Sequence, residues 1–109
     1  MSILLVLSTF PDMPTARQIG TKLVSQQLAA CVNLIPSVES IYEWQDEVKQ
    51  EPEILGIIKT TLEAYPALES RLNELHPYEV PEIVAISPEQ GLPPYLDWVE
   101  NQVRSDTLG

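Results

Sequence analysis

The segment His76-Pro77-Tyr78-Glu79-Val80-Pro81-Glu82 gathers the chain's only imidazole with two carboxylates and a phenol. A histidine set beside carboxylates is a donor combination that suits zinc or copper. It lacks the paired histidines by which a helix holds catalytic zinc, and an imidazole in the last turn of a helix is also favourable against the helix dipole. Metal ligand, ligand-orienting hinge and helix stop therefore stand side by side for His76. Cys31, the single cysteine, is a soft donor for copper or mercury, or else a small buried residue. A nucleophilic Cys31 activated by His76 would need an oxyanion site, and no GxCxG stretch is present. Lys59 closes an apolar run, where an ammonium needs a carboxylate partner or the anionic group of a ligand. Tyr42, Trp44, Tyr95 and Trp98 supply most of the aromatic surface and read as core or interface anchors. Glycines at 20, 56, 91 and 109 are too scattered to cradle a phosphate, so dinucleotide and P-loop chemistry are unsupported.

Something must hold these residues in place, and composition bounds what it is. The 109 residues read as one domain, long enough to bury roughly two-thirds of the unfolded surface without staples. Six basic against sixteen acidic side chains give a net charge of −10. That balance opposes nucleic acid and anionic membrane surfaces as partners, since both need a basic footprint. One cysteine allows no intrachain disulfide, which suits a reducing compartment. The apolar run at residues 3–7 has no basic residue before it and is far shorter than the ~20 residues of a membrane span. These features together predict a cytoplasmic protein.

Apolar spacing predicts the elements. Residues 3–9 read as a buried strand, followed by a turn at 10–14 and a helix near 14–28 carrying Ala16, Ile19, Leu23 and Leu28. From 31 to 44 the chain is extended, with Val32, Leu34, Val38, Tyr42 and Trp44 alternating onto one face. Pro36 predicts a bend or bulge within that strand. Gln45-Asp46 makes a hairpin tip, and 54–60 is the returning strand. Thr60 and Glu63 have capping-box spacing, and Pro66 moves the regular helix slightly later; Tyr65, Leu68, Leu72 and Leu75 are its stripe and Pro77 its stop. A fourth strand at 83–87, a loop at 88–93 and a last helix opening on Pro94 complete the chain. The order predicts an α+β, ferredoxin-like split βαβ: β-α-β-β-α-β plus a C-terminal helix. Such a sheet leaves one face wet, yet ILLVL, ILGII and IVAI are apolar on both faces. The short last helix covers part of that surface at most, so a second copy is expected on it.

Several stretches together resemble the CutA (divalent-cation tolerance) family: Ala30-Cys31-Val32-Asn33, Ser40-Ile41-Tyr42-x-Trp44, Lys59-Thr60, His76-Pro77-Tyr78-Glu79-x-Pro81-Glu82-Ile83 and Tyr95-x-x-Trp98. The resemblance covers nearly the whole chain. It implies a homotrimer of ferredoxin-like subunits, similar in architecture to PII signalling proteins. It also implies a non-enzymatic role in tolerance to copper, zinc and related cations. Carried over by residue, it makes His76, Glu79 and Cys31 the candidate metal ligands. Tyr42, Trp44 and Lys59 become candidates for an inter-subunit cleft. No cofactor is obligatory; copper or zinc is the expected guest. The alternative is a PII-like signalling trimer whose clefts bind a small metabolite. Asp46 stands where many members have glycine in a Trp-x-Gly tip, and Cys31 is fewer thiols than cysteine-rich copper-binding members carry.

Overall fold

The computed structural model describes residues 2–104. The elements are β1 (Ile3–Phe10), α1 (Met13–Ser25), β2 (Cys31–Trp44), β3 (Glu47–Thr61), α2 (Tyr65–Leu75), β4 (Val84–Ile86) and α3 (Pro93–Gln102). The strands pair antiparallel in the order β2-β3-β1-β4, which is the ferredoxin-like arrangement. On one face Val6, Phe10, Ile54 and Ile58 meet Ala16, Ile19 and Leu23 of α1 and Leu68 and Leu72 of α2. Gly56 lies beneath Phe10: a Cβ there would stand 2.8 Å from the ring's Cε2, so the phenyl ring occupies the space of a side chain.

Element ends follow local chemistry. Asp12 caps α1 by accepting from the Thr15 amide at 2.8 Å, and Pro14 fills a first-turn position that needs no amide. The helix ends at Ser25, before residue 28, because Gln27 turns left-handed with φ 60°. The Leu28 and Ala29 amides then both donate to the Leu23 carbonyl. Leu28 still enters the core, which is why it continued the helical spacing. β3 begins at Glu47 rather than at residue 54. Pro52 sits opposite Glu39 of β2, where β1 has already ended at the Phe10–Ile54 pair, so the amide that proline lacks is not missed.

The break at Pro36 has a larger consequence. The register shifts between Ile35 and Val38, with Ser37 at φ 59°, and the shift exchanges the two faces of β2. Val32 and Leu34 pair with Ile58 and Gly56 on the helix-covered face, whereas Val38, Tyr42 and Trp44 pair with Glu53, Lys49 and Glu47 on the other. The five residues expected on one face are thus divided between two.

That second face is covered at one end only. There Val99 and Val103 at the α3 end pack with Ile3, Ala30 and Ala64. The remainder presents Leu5, Leu7, Leu55 and Ile57, half-buried, together with Val84 (51% exposed) and Ile86 (47%). Among the described residues no helix is long and apolar enough to cross a membrane.

Candidate ligand cleft between the hairpin and the 76–82 turn

Beyond the end of β1, β2 and β3 continue as a two-stranded arm. Gln45 and Asp46, at φ 52° and 65°, make a two-residue turn whose left-handed residues match the twist of the strands. Its register sets Ser40 opposite Glu51 and Tyr42 opposite Lys49. The Tyr42 hydroxyl donates to Glu51 at 2.7 Å and the Ser40 hydroxyl to Glu53 at 2.6 Å.

The opposing wall is the turn after α2. His76 leaves the helix in an extended conformation (φ −74°, ψ 137°), as a residue before proline prefers, while its amide donates to the Leu72 carbonyl. The ring is buried, 7% exposed, and stacks on Phe10 with centroids 5.0 Å apart. Nε2–H donates to the Thr9 carbonyl at 2.8 Å, and Nδ1 accepts from the Tyr78 amide at 3.1 Å. Both nitrogens are thereby engaged, which assigns the neutral Nε2–H tautomer. Burial lowers the ring's pKa, more than the Thr9 carbonyl and the Glu53 charge raise it. From this anchor Tyr78 reaches across to donate its hydroxyl to Glu53. Burial and that bond push its phenol well above the usual range.

Between the two walls lies a cleft of about 650 Å³, lined by Thr9, Tyr42, Trp44, Lys49, Glu51, Glu53, Tyr78, Glu79, Val80 and Glu82. Four carboxylates face one ammonium, and three aromatic rings form the sides. Of the expected site residues, Tyr42, Trp44 and Glu79 come together here. His76 lies behind the wall, and its ring can take a metal only by giving up a hydrogen bond. Cys31 and Lys59 do not join them. They pair with each other across β2 and β3, ten residues along β3 from Lys49, or roughly 30 Å of strand. Lys59 has Tyr95 as its neighbour, with Nζ 5.6 Å from the ring centroid, and among the described residues no carboxylate pairs with it. No three His, Cys, Asp or Glu side chains converge on a metal-sized site among the described residues. Ser40, Glu51, Glu53 and Tyr78 were not among the expected residues. Counting the register outward from the Gln45-Asp46 tip would have placed Ser40 and Tyr42 opposite Glu51 and Lys49.

Residues 4–102 match the CutA1 divalent ion tolerance protein family. The chain belongs to the CutA1 family. A divalent-cation tolerance protein CutA from Thermus thermophilus is 50% identical over 94 residues, 86% of this chain and 91% of that protein. The CutA protein of Mus musculus is 45% identical over 97 residues, 89% of this chain and 55% of its own length, so the chain spans about half of that relative. The crystal structure of CutA1 from Oryza sativa superposes with a TM-score of 0.94 at 34% identity, covering 97% of each chain. Membership of CutA1 supports a role in divalent-cation tolerance. The cleft is where such a role meets the chain's own side chains.

Proposed function

We propose that the protein is a cytoplasmic, non-enzymatic homotrimer that contributes to divalent-cation tolerance by binding cations of the copper and zinc class in clefts between subunits. The observation that carries this reading is the apolar sheet face, open over Leu5, Leu7, Leu55, Ile57, Val84 and Ile86, which lies on the same side of the sheet as Tyr42 and Trp44. A face of this kind is stable in water only when covered. The two sheet edges, β2 and β4, are different surfaces, so pairing one with the other is head-to-tail and closes into a ring. Within one subunit the cleft carboxylates do not form a ligand cluster; a cation there takes donors from more than one copy. Glu53 is committed to Ser40 and Tyr78, which leaves Glu79 and Glu82 as this chain's contribution. The lone free cysteine supports a reducing compartment.

Light scattering coupled to size exclusion, followed by calorimetric titration with Zn(II) at pH 7.5, tests both halves. The expected results are a trimer mass and binding that the double variant Glu79→Gln/Glu82→Gln loses without losing the trimer. A monomer mass rejects the assembly, and undiminished binding by the variant removes the cation from the cleft. A second reading, a small metabolite in the same cleft, is favoured by its volume, which falls in the ~300–1,000 Å³ range of small-molecule sites. A stoichiometric organic ligand co-purifying with the protein, seen by mass spectrometry, would establish it.

A further inference from the structure

The 76–82 turn is held to the sheet through one ring. His76 receives the Tyr78 amide on Nδ1 and gives Nε2–H to Thr9, and Tyr78 in turn grips Glu53 at the base of the arm. We propose that His76 is a proton-operated latch on the cleft: protonating the ring at Nδ1 sets a donor against the Tyr78 amide and releases the turn that forms the cleft wall. The proposal is independent of what the cleft binds.

The geometry leaves the imidazolium no other way to be satisfied. Nδ1 faces a backbone N–H, and two donors cannot share a hydrogen bond, so protonation breaks this contact. The surroundings offer little to a cation. From β1 come Thr9 and Phe10, neither of them titratable, and from α2 comes the Leu72 carbonyl, already taken by the His76 amide. The charged side chains of α2 are directed elsewhere: Glu69 to Tyr65, Arg71 to Glu74 and Gln26. From β3, Glu53 is the carboxylate whose charge the ring senses, but its oxygens are already held by Ser40 and Tyr78. On its own segment Tyr78 packs against the ring, with centroids 4.7 Å apart, and Glu79 and Glu82 are exposed. The faces of Phe10 and Tyr78 attract a cation without giving the Tyr78 amide a new acceptor.

The direction of the pH response follows. Burial holds the folded ring's pKa below the unfolded value of 6.5. The latch is therefore closed above that pH. As pH falls below about 6.5 the unfolded chain takes up the proton first, and stability declines until the folded ring also titrates. Protonation of the folded ring then opens the turn, and any ligand that requires the closed wall lowers the ring's pKa further, by reciprocity.

The test uses the intact, assembled protein labelled with ¹⁵N and ¹³C, in which His76 is the only imidazole. Its ring and the Tyr78 amide are followed by NMR from pH 8 to pH 4.5, with amide exchange at each step. The expected result is a neutral Nε2–H ring at pH 8 and a ring titration below pH 6.5. The Tyr78 amide should shift and lose its exchange protection at the same midpoint while β1 and β3 amides stay protected. Tyr78→Phe, which keeps the amide but frees the turn from Glu53, should raise the ring's midpoint. The proposal is overturned if the ring titrates at or above 6.5, if it titrates while the Tyr78 amide stays protected, or if it stays neutral until all amides exchange together.

Discussion

Ser8 lies fully buried in β1, opposite Gly56, and its Oγ has no hydrogen-bond partner among the described residues. A hydroxyl left unpaired in an apolar core costs roughly 1–3 kcal/mol, and here it does nothing for the cleft. Ser8→Ala should therefore stabilise the protein by about 1 kcal/mol, read as a higher denaturant midpoint with unchanged slope. A lower midpoint would mean that the hydroxyl has found a partner. His76 is the contrasting case. Its isolation in the sequence marked it as a residue to explain, but its role was not legible there, because the Thr9 carbonyl it bonds lies 67 positions away. Residue type suggests what a side chain can do; only the fold decides which of its atoms remain available.

The hairpin shows the same limit among elements. Its tip was readable, since Gln45-Asp46 is a polar pair between alternating apolar residues, and the bulge was readable from Pro36. The exchange of faces beyond the bulge was not, because one inserted residue reverses every later side chain and sequence shows the interruption without its parity. Pro52 misled in the opposite sense: it looked like a strand breaker and stands where β3 has a neighbour on one side only. The tip is also suboptimal, since two side-chain-bearing residues hold φ values of 52° and 65°. Asn-Gly fits this turn better. Gln45→Asn/Asp46→Gly should raise stability by about 1 kcal/mol, measured by thermal melting, without altering the Ser40–Glu53 and Tyr42–Glu51 pairings that wall the cleft. An unchanged or lowered melting temperature would show that the present turn is not strained.

For the whole molecule, element order and the two-faced strands were enough to predict the ferredoxin-like sheet and its need for cover. The cleft was legible only in part, because it is built from a strand pair and a turn that lie far apart in the chain. Val84 and Ile86, half-exposed in the subunit, discriminate sharply. As true surface positions they would accept a charge at a cost within about 0.5 kcal/mol. Beneath a second copy, Val84→Glu/Ile86→Glu buries two carboxylates and should abolish assembly. A scattering mass reduced from trimer to monomer is the expected outcome, and an unchanged trimer would move the interface elsewhere.

The central strand is also the first one made. β1 finds its partners at residues 54–61 and 84–86, so its apolar stretch leaves the ribosome with neither neighbour yet synthesised. The arm behaves differently: β2 and β3 are joined by two residues, and a hairpin of this kind closes within about 1–10 μs. Docking β1 between β3 and β4 requires closing much longer loops, which is the slow class of contact. The arm thus forms as a template, and β1 is threaded into place last of the long strands. During synthesis the most hydrophobic segment of the protein waits unpaired, and the interval before residue 61 emerges is when misassociation with other chains competes with folding.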